Sequence, residues 1–271
     1  MSPRPVIGVF DSGVGGLTVL KELVALVPGA DYLYFGDTAR LPYGSKSVET
    51  VARYALSAAR FLEEKKIELL VVACNTASAL ALPQIAGGVS VPVVGVIEPG
   101  ADAAAAASRT RKAVVIGTEG TVASHAYQRA LAARGIEARE QACPLFVPLV
   151  EEGWTDHPVT EQVAHIYLDA LFKNGPAGAD VMVLGCTHYP LLKPLLRRLA
   201  PPTVTIVDSA ESTARAVAAR VAQAPSPVPP AASTGLHFFS TDSVEKFRRL
   251  GARFLGHAVE DVAHVDLDRL P

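Results

Sequence analysis

Two cysteines stand where apolar runs end. Cys74 closes "IELLVVAC" and Cys186 closes "ADVMVLGC", and each is followed by two polar residues, Asn75-Thr76 and Thr187-His188. A thiol placed where a buried strand gives way to a helix feels the helix dipole, which can lower its pKa below the free value of about 8.5. One such thiolate is a nucleophile or a base. Two of them facing each other across a planar carbon suit a narrower chemistry. One removes a proton from one face, the other delivers a proton to the opposite face, and a stereocentre inverts. A base of this kind needs a pKa near ambient pH and hydrogen-bond reach to its proton. Asp11, which follows "VIGVF", and His188, two residues beyond Cys186, are candidates to tune the thiols. Glu151 and Glu152 form an acidic pair before Gly153, on an expected loop that can reach the second thiol.

Plainer roles exist for each residue. A lone cysteine in an apolar run is most often a small buried hydrophobe, and Cys143, in "QACPLF", is read that way. Asp11 can serve as an N-cap for the helix expected from Gly15. His188 can cap the helix containing Pro190, and Glu151 and Glu152 are by default solvated charges. The paired contexts of Cys74 and Cys186 set those two apart. No pair of cysteines has the C-x2–4-C spacing usual in structural zinc sites, so no metal is expected. The glycines of "DSGVGGLT" match neither dinucleotide-binding nor P-loop spacing, and read instead as a place where backbone amides approach an anion such as a carboxylate.

The elements that must hold these residues follow from periodicity. Short Val/Ile-rich runs at 6–10, 31–37, 67–74, 91–97, 112–118, 179–186 and 203–209 predict strands. "IEAREQAC", "LHFFSTD" and "VAHVDL" add three more. Amphipathic or Ala-rich segments between them predict helices, among them 15–28, 47–66 and 160–175, with a turn or two over "TASALALPQIA". Single helices are expected over "GTVASHAYQRALAARG" and "YPLLKPLLRRLA". "PSPVPP", at 225–230, is the one clear Pro-rich linker. Strand–helix alternation predicts an α/β fold with mainly parallel sheets, whose ligands bind at the carboxyl ends of the strands. Asp11, Cys74, Thr118 and Cys186 all fall at such ends. The order strand–Asp11, strand–Cys74 is repeated as strand–Thr118, strand–Cys186 at similar spacing. That suggests two copies of one unit, each giving one thiol to a shared cleft.

Composition narrows the class. A net charge of −2 over 271 residues, with no basic run, gives no reason to expect nucleic acid. No apolar stretch approaches membrane-spanning length, and the five-residue run before Asp11 is too short for a secretory segment. A cytoplasmic protein is expected. Three cysteines are an odd and sparse count for a disulfide framework, which leaves the thiols free for chemistry.

Seven segments, in order, resemble the glutamate racemases of the cofactor-independent aspartate/glutamate racemase superfamily. They are "IGVFDSGVGGLTVL", "YFGDTARLPYGSKS", "VVACNTASA", "PVVGVIEPGA", "VVIGTEGTVAS", "LVEEG" and "VLGCTHYPLL". The resemblance implies two pseudo-symmetric three-layer α/β domains with the active site between them: residues 1–97 plus 208–271, and residues 98–207. It implies Cys74 as the base toward D-glutamate and Cys186 as the base toward L-glutamate, with Asp11, His188 and Glu152 assisting. It implies substrate contacts from Asp11-Ser12, Pro42-Tyr43-Gly44-Ser45, Asn75-Thr76, Thr118 and Thr187-His188. No cofactor is implied, the product would be D-glutamate for peptidoglycan, and a homodimer is the common assembly. Residues around Tyr43 and Asn75 would distinguish glutamate from aspartate. A Cys–His hydrolase remains the competing chemistry, since it needs only Cys186 and His188.

Overall fold

The computed structural model describes residues 4–223 and 234–270; the Pro-rich 225–230 segment lies outside them. In chain order the elements begin β1 (Val6–Asp11), α1 (Leu17–Leu26), β2 (Asp31–Gly36), α2 (Val48–Glu64), β3 (Leu69–Val72), α3 (Asn75–Gly88) and β4 (Val93–Gly95). They continue through α4 (Ile97–Ala107), β5 (Lys112–Gly117), α5 (Glu119–Ala123), α6 (Ala126–Ala132), β6 (Glu137–Ala142), α7 (Phe146–Glu151), α8 (Pro158–Asn174) and β7 (Val181–Gly185). The last are α9 (Lys193–Leu199), β8 (Thr205–Asp208), α10 (Ser209–Ala222), β9 (Gly235–Ser240), α11 (Val244–Leu255) and β10 (Val262–His264).

The strands form two wholly parallel sheets. One has the order β10-β9-β2-β1-β3-β4, the other β6-β5-β7-β8. Strands β2-β1-β3-β4 and β6-β5-β7-β8 therefore have one topology, as the repeat in the sequence suggests. In each, the chain runs outward from a central strand on one side and then crosses to the other. The crossing point lies between β1 and β3 in the first sheet and between β5 and β7 in the second. Crevices at such points, outside the strand carboxyl ends, are where open α/β sheets bind ligands. Asp11 ends β1 and Cys74 follows β3; Thr118 and Cys186 follow β5 and β7.

Strands β3 and β7 are buried along their whole length, which is why both read as unbroken apolar runs rather than alternating ones. Helix α10 packs on α1 and on α4, while β9 and β10 return the chain to the outer edge of the first sheet. Helix α11 packs on α1 and so belongs to that same side.

Three helices depart from the sequence expectation. Helix α3 runs to Gly88 through Pro83, well beyond a turn or two; its Ala-rich face is buried against α2, and that packing outweighs the lost proline donor. The segment expected as one helix before Gly135 is two, α5 and α6, broken where His125 takes a left-handed φ of 53°. The "YPLLKPLLRRLA" stretch is a 3-10 turn at Tyr189–Leu192 followed by α9, with a proline near the start of each.

Candidate active site

The loop from Asp11 to Gly16 is fixed from below. Tyr34, fully buried on β2, donates its hydroxyl to the Gly13 carbonyl at 2.9 Å. Asp11 Oδ2 accepts from the Gly13 amide at 2.8 Å, and its backbone carbonyl accepts from Asp37 N at 3.1 Å. The carboxyl is thus held at the end of β1 and is almost wholly buried. Burial raises its pKa, against the pull of the Gly13 amide and of His188.

Cys74 is the N-cap of α3. Its sulfur accepts from Ala77 N at 3.4 Å and donates to Ser12 Oγ at 3.5 Å. A thiol here takes the place usual for Ser or Asp. From sequence, the helix end is expected to lower its pKa; the structure reverses the sign. Burial and the neighbouring Asp11 charge outweigh the Ala77 and Ser12 contacts and push it up to about 12. At that value Cys74 is a protonated thiol at neutral pH.

The second thiol has a different setting. Cys186 Sγ lies 3.9 Å from His188 Nδ1, and His188 Nε2 lies 3.2 Å from Glu151 Oε1. Burial works against a charged imidazole, but the Cys186 and Glu151 contacts more than offset it and raise His188 to about 10. Glu151 is correspondingly lowered by its hydrogen bond to His188. The residue before His188 links the halves: Thr187 Oγ1 donates to Asp11 Oδ1 at 3.5 Å, and Thr18 Oγ1 of α1 donates to the Thr187 carbonyl at 3.0 Å.

The resemblance carries the second acidic role onto Glu152. The structure instead brings Glu151 to His188. Glu151 is in the last turn of α7 and half-buried, whereas Glu152, one residue on and so rotated about 100° around the helix axis, is exposed. We expect Glu151→Gln to lower turnover at least about tenfold, the effect of roughly 1.4 kcal/mol, and Glu152→Gln to leave it within about twofold; steady-state kinetics on the two variants checks this.

A hydroxyl cluster spans the two sheets. Thr76 Oγ1 at the start of α3 meets Thr118 Oγ1 at 2.9 Å and Thr121 Oγ1 at 3.4 Å, and Thr118 meets Thr121 at 3.0 Å. Thr118 is also the N-cap of α5, accepting from Thr121 N at 3.3 Å. Gly44 packs on this cluster so closely that a Cβ there would lie 3.0 Å from the Thr118 Cβ. Pro42, after a cis peptide bond, and Ser45 are exposed on either side of it.

Two of the expected contacts are differently engaged. Asn75 donates Nδ2 to Ser209 Oγ at 3.1 Å and accepts from the Tyr127 hydroxyl at 2.7 Å, so its side chain ties α3 to α10 and α6. Tyr43 is buried and donates to Asp37 Oδ2 at 2.5 Å; Asp37 in turn accepts from Arg40 and Thr241. Tyr127 and Thr121 are participants not singled out from sequence, and Glu151 is singled out there only as half of an acidic pair. Thr121 is marked by its position three residues after a capping Thr118, and Glu151 by the phase of a short helix; nothing in "SHAYQRAL" marks Tyr127.

The glycines of the Asp11–Gly16 loop serve close packing. A Cβ on Gly15 would fall 2.3 Å from Thr187 Oγ1 and 2.5 Å from His188 Nδ1; one on Gly16 would fall 2.5 Å from the Asp11 Cβ. At Gly15 the space a side chain would need is taken by Thr187 and His188 of the loop after β7.

A family model described as Asp/Glu/Hydantoin racemase matches residues 7–217. The chain belongs to this racemase family. The glutamate racemase of Koribacter versatilis is 60% identical over 285 aligned residues, covering 97% of this chain and 98% of that protein. The crystal structure of the Thermus thermophilus glutamate racemase in complex with beta-chloro-D-alanine matches over 100% of both chains, with TM-score 0.88 and 46% identity. That of the Francisella tularensis enzyme in complex with D-glutamate matches 99% of both, with TM-score 0.90 and 33% identity. The two-sheet α/β architecture is thus the family's. Among the described residues no helix is long and apolar enough to cross a membrane.

The raised His188 carries a stability consequence. Its folded value, about 10, lies above its ordinary 6.5. Its contribution is complete below pH 6.5 and is lost as pH rises through 10. Urea unfolding should therefore show stability falling between about pH 7 and 9, and His188→Asn should flatten that slope.

Proposed function

We propose that the chain is a glutamate racemase, interconverting L- and D-glutamate by proton transfer between two thiols with no cofactor. Its D-glutamate would supply peptidoglycan synthesis. The reading rests on one observation above the others: two buried thiols, each at the crossing point of one of two like sheets, in half-sites joined by the Asp11–Thr187 contact. Glutamate as substrate rests on the full-length likeness to proteins bearing that name.

In this reading Cys186, beside His188, takes the α-proton of L-glutamate while Cys74 delivers a proton to the opposite face. The roles reverse for D-glutamate. Asp11 serves Cys74, and His188 with Glu151 serves Cys186. The α-proton is weakly acidic, so the developing charge on the α-carboxylate must be met by donors already in place, each worth about 3–4 kcal/mol in comparable sites. The first-turn amides of α3, at Asn75 and Thr76, have no partner within the helix and carry the positive end of its dipole. With Ser12 and Thr187 they form the carboxylate cradle. Thr76, Thr118 and the Tyr43–Ser45 loop meet the side-chain carboxylate. Each thiol is 5% exposed, so substrate enters when the two sheets part. The units that part are residues 1–97 plus 208–271 and residues 98–207, a division supported by the return of β9 and β10 to the first sheet. A cytoplasmic homodimer completes the proposal, and light scattering on the purified protein gives its mass in solution.

Circular dichroism of L-glutamate incubated with metal-stripped, pyridoxal-free protein should decay to zero. A flat trace with glutamate and a decaying one with aspartate would replace the substrate. One observation favours a second reading: Cys186, His188 and Glu151 lie in line as nucleophile, base and orienting acid do in thiol hydrolases. Such an enzyme would keep its activity in the Cys74→Ser variant.

A further inference from the structure

The two half-sites are not built alike. Cys74 takes its contacts from residues of its own sheet's elements, Ser12 and Ala77. His188 lies on the second-sheet loop after β7 but is enclosed by first-sheet elements. On the loop after β1, Gly15 leaves no room for a Cβ against its imidazole. On α11, Phe254, 2% exposed, meets the His188 ring edge-on, with centroids 5.0 Å apart and planes at 77°. The next residue back, Arg253, donates Nη1 to the Glu151 carbonyl at 2.9 Å. That carbonyl is in the last turn of α7, where helix carbonyls lack intrahelical partners and a cation is favoured. Gly153, at φ +83°, admits the guanidinium: a Cβ there would fall 2.8 Å from Nη1. Lys246, also on α11, adds a favourable charge to Glu151.

We infer that Phe254 and Arg253 of α11 are positioning residues for the second half-site, holding the Glu151–His188 pair against Cys186 so that this base is assembled only when the first-sheet elements close on it. The inference rests on the racemase reading and deepens it. An edge-on aromatic contact fixes the plane of the imidazole, which sets where Nδ1 points. The Arg253 bond fixes the α7 end that carries Glu151. Loss of either leaves the sulfur and imidazole in place but misaligned, and misalignments of about 1 Å cost up to about 10²-fold in rate. The contacts of the Cys74 sulfur are with Ser12 and Ala77, neither of which is on α11.

The test uses full-length protein in two single-thiol backgrounds, with α-deuterium exchange from deuterated water followed by NMR for each enantiomer of glutamate. In Cys74→Ser protein, exchange relies on Cys186; adding Phe254→Leu or Arg253→Ala should slow it about tenfold. In Cys186→Ser protein, exchange relies on Cys74, and the same additions should change it less than about twofold. Arg253→Lys, which restores a donor, should recover most of the loss. Arg253 is exposed, so its variants keep the fold even where Phe254→Leu does not. Equal slowing in both backgrounds, or no slowing in either, would overturn the positioning role. Absence of exchange in the otherwise unsubstituted protein would instead remove the racemase reading, and this inference with it.

Discussion

Cys74→Ser and Cys186→Ser are each expected to abolish interconversion of the enantiomers, by roughly 10²–10⁴-fold or more. A serine hydroxyl is isosteric but is neither acidic enough to donate nor basic enough to accept at neutral pH. Inversion needs a group on each face, so the two losses are equal in consequence although the half-sites differ in chemistry. The expectation separates the racemase from a thiol hydrolase, which would tolerate the change at Cys74. Circular dichroism measures the loss of rotation. Both variants should fold, because each sulfur is replaced by a smaller atom, and Cys74 occupies an N-cap position that serine favours.

Gly15→Ala carries the second large effect. The added methyl would sit 2.3 Å from Thr187 Oγ1 and 2.5 Å from His188 Nδ1. His188 is itself packed on Phe254 and bonded to Glu151, so the ring has little room to withdraw. Overpacking of this kind costs about 1–3 kcal/mol of stability. The catalytic cost is greater, because the displaced atoms are those that serve Cys186: turnover should fall about 10²-fold. Gly87→Ala is the matched control. No atom lies within 4 Å of its Cβ position, and alanine in place of glycine in a helix is neutral or stabilising by up to about 1 kcal/mol. Kinetics and thermal unfolding on the two variants give the comparison.

The fold is legible where burial dictates sequence. Strands β3 and β7 are covered on both faces, so their apolar runs identify them, and the thiols follow directly. Thr118 and Asp11 are visible for the same reason. What sequence does not convey is which partner each polar group meets across the chain. Asn75 and Tyr43 have the right types to touch a substrate, yet their side chains are used by Tyr127, Ser209 and Asp37, residues placed by tertiary packing. Glu151 and Glu152 are adjacent and alike, and only the phase of α7 separates them. The shift at Cys74 escapes a sequence argument because helix position is local while burial is not: the dipole acts as expected, but desolvation and Asp11 outweigh it.

The most direct measurement of the two-thiol claim is the position of deuterium at low conversion. L-Glutamate would be incubated with the unsubstituted protein in deuterated water, and both enantiomers recovered while most of the substrate is still unconverted. Two bases on opposite faces predict D-glutamate carrying α-deuterium from the first turnover, with the residual L-glutamate still largely protiated. D-Glutamate that retains the original α-proton would mean one group carried it from face to face, and would contradict the assignment of Cys74 and Cys186 as a facing pair.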